Sequence, residues 1–479
     1  MASQAWPGPA TPRPARPVRV QRPADVEGVV DAVRTAVRDG LPVRPMGAGS
    51  APTDLTETDG VVLDLTGLDR LRAVDPVGGT AVVEAGMRLS RLWPLLWQHG
   101  LAVDAPGGLD HQTLGGAIAT GEHGSGLRYG GLASRVLALE MVLADGSLLA
   151  CSAQAQPDLF QAARVGLGAF GVVTAVTLAC DPARDVELAI VELSRAEFLD
   201  RVDDLAEQHD HVEFGWRPGE HQVLCTTAER LQPGSAAGRT AGVGGAGGVG
   251  GVGEPVGVAG PGGVTGPRDQ VAPGGGVGPA ARAARAGGVV PVGSAAVVTT
   301  AGGRPGRLAA ASRRRGLARV AGQALALPGV RLLADRGYRV LGRRSRSARE
   351  SEFAVPRACF PAVFEELAER IAGQPVPGGA LRVRFGAPED AWLAMGQGRE
   401  TAYLCATAPV GPASQAFFRT LEAVAARYDG RPHWGRPHGM RAEVLRGRYP
   451  RFDDARAVRA LVDPRRVFAN LHLDRVLGA

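Results

Sequence analysis

Two glycine-rich loops, each following an apolar strand, are the parts of this 479-residue chain best suited to chemistry. In Gly47-Ala48-Gly49-Ser50-Ala51 the small side chains let successive backbone N–H groups converge on an anion. The second loop is denser: Leu114-Gly115-Gly116-Ala117-Ile118-Ala119-Thr120-Gly121-Glu122-His123-Gly124-Ser125-Gly126. Its glycines permit close backbone approach, Thr120 and Ser125 offer hydroxyls, and His123 reads as a residue that orients backbone rather than reacts. Neither loop carries the Gly-x-Gly-x-x-Gly spacing of a Rossmann unit, yet two of them about seventy residues apart point to a bound cofactor. A third cluster, Gly166-Leu167-Gly168-Ala169-Phe170-Gly171-Val172-Val173, lies between a helix and a strand and reads as close packing of the two.

The elements around these loops follow from periodicity. Val26, Val29, Val30, Val33 and Val37 recur at helical spacing, with Asp25 as a cap and Gly40 at the end. A short strand over 42–46 feeds the first loop, and 60–65 is the next strand. Hairpins are predicted over 71–84 and, around Asp145-Gly146, over 136–151. Helices over 89–99 and 158–167 and a strand over 171–178 complete the first part. This mixed order, without a βαβ run, makes the fold class α+β. Further on, helices are predicted over 361–372, 414–428 and 453–462, with strands over 381–385 and 403–406.

Composition divides the chain. Residues 1–16 form a Pro- and Arg-rich arm, and 233–345 is a Gly-, Pro- and Arg-rich insert expected to be largely disordered, because its small side chains bury too little surface to offset chain entropy. The expected organisation is a cofactor-binding domain over 17–180, a substrate or cap domain over 181–232 and 346–430, and a C-terminal segment over 431–479. The chain has no Lys, so all 54 basic residues are Arg; 48 acidic residues interspersed with them argue against nucleic acid as a partner despite a net charge of +6. Five cysteines with no C-x-x-C pair signal neither a metal site nor a redox motif. No signal peptide or membrane-spanning run is read, so a soluble cytoplasmic protein is expected.

Several motifs, in order, carry a resemblance. They are Thr58-Asp-Gly-Val-Val-Leu-Asp-Leu, Val82-Val-Glu-Ala-Gly86-Met-Arg-Leu, Gln112-Thr-Leu-Gly-Gly with the rest of the second loop, Ala144-Asp-Gly-Ser147 and Leu159-Phe-Gln-Ala-Ala-Arg. The C-terminal Arg431-Pro-His-Trp-Gly435, Tyr449-Pro-Arg-Phe-Asp-Asp454 and Leu473-Asp-Arg-Val-Leu-Gly478 continue it. Over roughly 17–180 and 350–479 the chain resembles the sugar-1,4-lactone oxidases (gulonolactone, arabinonolactone and alditol oxidases) of the vanillyl-alcohol-oxidase-type flavoproteins. The resemblance implies a two-subdomain FAD-binding domain, a cap with a large antiparallel sheet, and a C-terminal segment packed back on the FAD domain. It places the FAD pyrophosphate on the first two loops and the adenine half along Gly168, Gly171, Val172 and Val173. It also implies hydride removal from a CH–OH group of a sugar lactone, alditol or sugar acid, in the manner of D-arabinono-1,4-lactone oxidase, with oxygen or another carrier as electron acceptor. Thr113 then matches a hydroxyl beside the flavin, Arg384 a substrate- or flavin-contacting Arg, Glu352 an acidic cap position, and His433-Trp434 the start of a His-Trp-Gly-Lys motif.

Four departures qualify what is carried over. Ser50 stands where many members have the His that links covalently to flavin, so FAD is expected to be dissociable. Arg436 replaces the motif's Lys; it keeps the charge but cannot act as a base. Arg382 stands where the family has an acidic residue, which makes an anionic substrate more plausible. The N-terminal Trp-containing segment is reduced to Ala5-Trp6-Pro7-Gly8. His433 and His438 read equally as structural residues or as bases, and Arg382 faces either the pocket or the opposite side of its strand. A degenerate flavin-binding homologue and a basic binding protein built on the insert remain as alternative readings.

Overall fold

The computed structural model describes residues 16–104, 107–108, 110–231, 330–336, 349–373, 376 and 378–479. Three sheets organise them. The first is a parallel sheet in which Val61–Asp64 lies between Arg19–Gln21 and Val43–Met46. The helix Val26–Arg38 covers it, burying Val29, Ala32, Val33 and Ala36, and the Asp25 side chain caps that helix by accepting from Gly28 N at 2.9 Å. The valine spacing is what makes this face continuous.

The second sheet is antiparallel and five-stranded, in the order Leu71–Asp75, Thr80–Glu84, Val172–Ala179, Val136–Val142, Leu148–Ser152. The predicted hairpins are its two outer pairs, and Val172–Ala179 joins them at the centre. The third sheet has eight strands, of which Asp185–Ser194, His211–Trp216, Gln222–Arg230, Arg349–Pro356, Ala380–Gly386 and Thr401–Ala408 make the bulk. Helices Arg195–Gln208, Phe360–Ile371 and Pro412–Arg427 bury their apolar faces with it. Phe198, Phe214, Phe360, Phe364 and Phe385 form an aromatic cluster there with mostly edge-on geometry, which favours ring edges over ring faces. The α+β class is therefore realised in full.

One segment departs from the reading of 233–345 as an insert. Val330–Arg336 is the edge strand of the large sheet, antiparallel to Asp185–Ser194, with a register shift between Glu187 and Leu188. Its apolar residues Val330, Leu332, Leu333 and Ala334 are hidden among arginines in the sequence, and backbone pairing with a long neighbour supplies what short-range pattern does not. The rest of the insert, and the N-terminal arm up to residue 15, lie outside the described residues. Among the described residues no helix is long and apolar enough to cross a membrane.

The C-terminal segment is stitched to the strand and loop that follow the first helix. Val43 N donates to Val467 O at 2.7 Å, and Asp463 accepts from the backbone N of Val467 and Phe468 at 2.7 and 2.9 Å. Asn470 caps the final helix, Leu471–Leu477, accepting from Leu473 N. Its amide nitrogen lies 3.2, 2.9 and 3.0 Å from the carbonyls of Asp54, Leu55 and Glu57. His472 Nδ1 lies 2.6 Å from Asp54 Oδ1. Asn470→Ala removes a cap and a side-chain donor shared by these three carbonyls, and should lower the free energy of unfolding by about 2 kcal/mol in urea denaturation.

Candidate active site

One cleft is bounded by all three glycine clusters, which the sequence holds far apart. Gly47, Ala48, Gly49, Ser50 and Ala51 line it, as do Thr113, Gly115, Gly116 and Thr120, and Gly168, Gly171 and Val173. His433, Gly435 and Arg436 also line it. Glycines from all three clusters are part of its wall. A Cβ on Gly47 would collide with the Thr113 hydroxyl, and one on Gly115 would sit 2.9 Å from Ala85 Cβ. Gly168 and Gly171 adopt φ of +67° and +148°, which L side chains rarely tolerate.

Other sequence-predicted residues stand away from this space. Val172 points into the core with Val29 and Val43, because it alternates with its neighbours Gly171 and Val173 on a strand. Gly121 packs toward Val165 and Trp434. Gly124 and Ser125 contribute carbonyls, not donors: Gly124 O faces His123 Nδ1 at 3.0 Å and Ser125 O faces His211 Nδ1 at 2.8 Å. His123 is buried, stacks on Tyr403 with ring centroids 3.6 Å apart, and places Nε2 3.0 Å from Glu352 Oε1. Arg384 is likewise outside the cleft lining; its Nε donates to Glu213 at 2.8 Å and its Nη1 to His123 O at 3.1 Å.

Two cleft residues escaped the sequence reading. Arg44 is buried and donates to four carbonyls, those of Leu55, Leu167, Gly168 and Phe468, at 2.8 to 3.2 Å. A charged residue in the middle of a short predicted strand was the available signal. Gln112 lines the cleft beside Thr113; Gln112 Oε1 and Thr113 Oγ1 are buried without a hydrogen-bond partner among the described residues. Unmatched buried polar atoms at a cleft wall are what a ligand with complementary groups would satisfy. Wall glycines such as Gly47 and Gly115 that leave no room for a side chain, unmatched polar atoms and the cationic Arg436 together fit a dinucleotide such as FAD.

The electrostatics define what the polar end can do. Burial pushes His433 down to about 4, with Glu352 opposing, so it is neutral. Its Nδ1 accepts from Gly435 N at 3.0 Å, which leaves Nε2 as the protonated nitrogen and a donor. Burial opposes the charged form of Glu352, but His123, His433 and Arg436 outweigh it and hold the carboxyl well below its usual range. Arg436 Nη2 pairs with Glu350 Oε2 at 2.6 Å.

Comparison with known proteins places this geometry. Residues 17–152 match the model of an FAD binding domain, and residues 313–476 match that of D-arabinono-1,4-lactone oxidase. Over 477 residues the chain is 31% identical to the L-gulono-1,4-lactone dehydrogenase of Mycobacterium tuberculosis, covering 99% of this chain and 98% of that one. The chain belongs to the sugar-1,4-lactone oxidase family. It is an FAD-linked oxidoreductase. The L-gulonolactone oxidase of Bos taurus is 35% identical over 202 residues, 42% of this chain and 46% of that one. Cholesterol oxidase from Brevibacterium sterolicum aligns with a TM-score of 0.68 at 16% identity, covering 96% of this chain and 94% of that one, and so shares the fold.

Two consequences are open to measurement. In this lactone-oxidase fold Gly47→Ala drives a methyl into Thr113. Flavin-fluorescence titration should show FAD binding weakened about tenfold or more, with Thr113→Ala on the same chain restoring part of it. His438 is buried with neither ring nitrogen hydrogen-bonded among the described residues, and burial, then the charge of Arg475, pushes it well below its ordinary value. A lowered folded-state pKa contributes stability above the unfolded value of 6.5 that is lost as pH falls below it. Melting curves should therefore fall less steeply in His438→Leu than in the parent between about pH 6.5 and 5.

Proposed function

We propose that the protein oxidises a CH–OH group of a sugar-1,4-lactone such as L-gulono- or D-arabinono-1,4-lactone, with FAD held non-covalently. The observation that carries this reading is the convergence of three glycine clusters with His433 and Arg436 on one cleft. FAD, when bound, supplies the two-electron acceptor for the hydride of the carbinol carbon. In this reading residues 47–51 with Gly115 and Gly116 hold the pyrophosphate through backbone N–H groups, and Gly168, Gly171 and Val173 run along the adenine half. Thr113 stands beside the ring. Ser50 cannot form the link that a His makes at its position, so the cofactor dissociates.

The polar residues position the substrate and steady its charge. Arg436 stays protonated; it donates to the reacting oxygen and stabilises negative charge there as the hydroxyl proton passes to solvent water at the cleft. His433, neutral with Nε2 as donor, orients a second oxygen and does not remove the proton. Arg384, braced by Glu213 and His123, keeps one buried Nη2 without a hydrogen-bond partner among the described residues and supports the site from outside the cleft lining. The electrons pass on to oxygen or to another carrier; the relatives above include a dehydrogenase and an oxidase by name.

The test is anaerobic mixing of the FAD-loaded protein with either lactone. Loss of the oxidised-flavin absorbance is expected, and flavin should move into the supernatant on acid precipitation. An unbleached flavin with both lactones would overturn the substrate assignment; flavin retained in the pellet would overturn the non-covalent one.

A further inference from the structure

Arg382 and Arg436 share a single carboxylate. Arg382 Nη2 lies 2.8 Å from Glu350 Oε1, and Arg436 Nη2 lies 2.6 Å from Glu350 Oε2. The three side chains are only 14%, 10% and 9% exposed for Arg382, Arg436 and Glu350, so water screens them little. Strand register explains the meeting. Glu352 stands opposite Cys405, which stands opposite Arg382, so these three project from the same face of the large sheet. Glu350 and Arg384, each two residues along its strand, share that face. Arg384 pairs with Glu213 at 2.8 Å, and Glu352 Oε2 lies 4.0 Å from Arg436 Nε. Three guanidiniums therefore meet three carboxylates, and the charge that Arg382 brings is cancelled beside the cleft.

We infer that Glu350 is a specificity-determining residue: by neutralising the Arg382–Arg436 pair it makes the site select a neutral lactone over the open-chain sugar acid formed from it by hydrolysis. The inference rests on the lactone reading proposed above. A buried guanidinium pair without its carboxylate recruits an anionic ligand, because bidentate carboxylate binding is the geometry that guanidinium groups satisfy best. With Glu350 in place that role is filled from within the chain, and an incoming carboxylate meets an occupied partner and a like charge. Glu350 acts through Arg436, which lines the cleft, and does not itself line it.

The experiment compares FAD-loaded wild type, Glu350→Gln, Arg382→Gln and the double variant Glu350→Gln/Arg382→Gln. The readouts are the calorimetric Kd of L-gulonate and kcat/KM for L-gulono-1,4-lactone. Glu350→Gln should bind gulonate about tenfold or more tightly than wild type while its kcat/KM for the lactone falls, opposite movements that mere loosening of the fold does not produce. The double variant removes one charge of each sign and should return gulonate affinity toward that of the wild type. Arg382→Gln leaves a carboxylate in excess and should weaken gulonate further, which keeps the proposal testable if Glu350→Gln folds poorly. Unchanged gulonate affinity in a folded Glu350→Gln protein, or tighter gulonate binding by Arg382→Gln, would overturn the role of Glu350. Failure of the lactone to bleach the wild-type flavin would instead overturn the reading on which it rests.

Discussion

The guanidinium of Arg44 is buried, and among the described residues four carbonyl oxygens rather than a carboxylate surround it. Burial and then the charge of Arg459 push its pKa down only to about 9, so the group remains a cation at neutral pH. A buried cation needs its donors met, and the acceptors come from three stretches of chain: Leu55 after the first glycine loop, Leu167 and Gly168 in the third, and Phe468 near the C-terminus. Those stretches cannot drift apart without stranding the charge. Segments that wall the cleft are thereby held together by one side chain that projects from the strand leading into the first loop.

The C-terminal segment is part of the same constraint. Asn470 and His472 tie it to residues 54–57, Asp463 holds its own turn at Val467 and Phe468, and Val467 pairs with Val43 beside Arg44. Glycine stretches in the cleft wall bring no side chains to hold its shape, and these hydrogen bonds from the C-terminal segment brace the strand and loop that follow the first helix.

At the other end of the cleft the controlling effect is charge balance. Taken alone, Arg382 in place of an acidic residue suggested an anionic substrate, because an isolated cation in a pocket attracts one. Glu350 reverses that expectation: it lies two strands away in the ladder and pairs with both Arg382 and Arg436. His433 shows the same dependence on surroundings. Whether it served as base or structural residue was open on residue type, and burial with the Gly435 N–H on Nδ1 makes it a neutral donor.

Sequence by itself determined the α+β class, the helix over the first sheet, both hairpins of the five-stranded sheet and the glycine clusters that line the cleft. These are local matters: periodicity, turn dipeptides and glycine spacing act within a few residues, and the family motifs are contiguous strings. Tertiary structure alone decided which loop residues face the cleft, since Val172 turns inward while Gly171 and Val173 do not, and His123, Gly124 and Ser125 stand behind the wall. It also decided that Val330–Arg336 joins the large sheet, that Arg44 is the hub, and that Arg382 is neutralised. Each of these rests on partners distant in the chain, and strand register, burial and charge pairing depend on distances that exist only once the chain has folded.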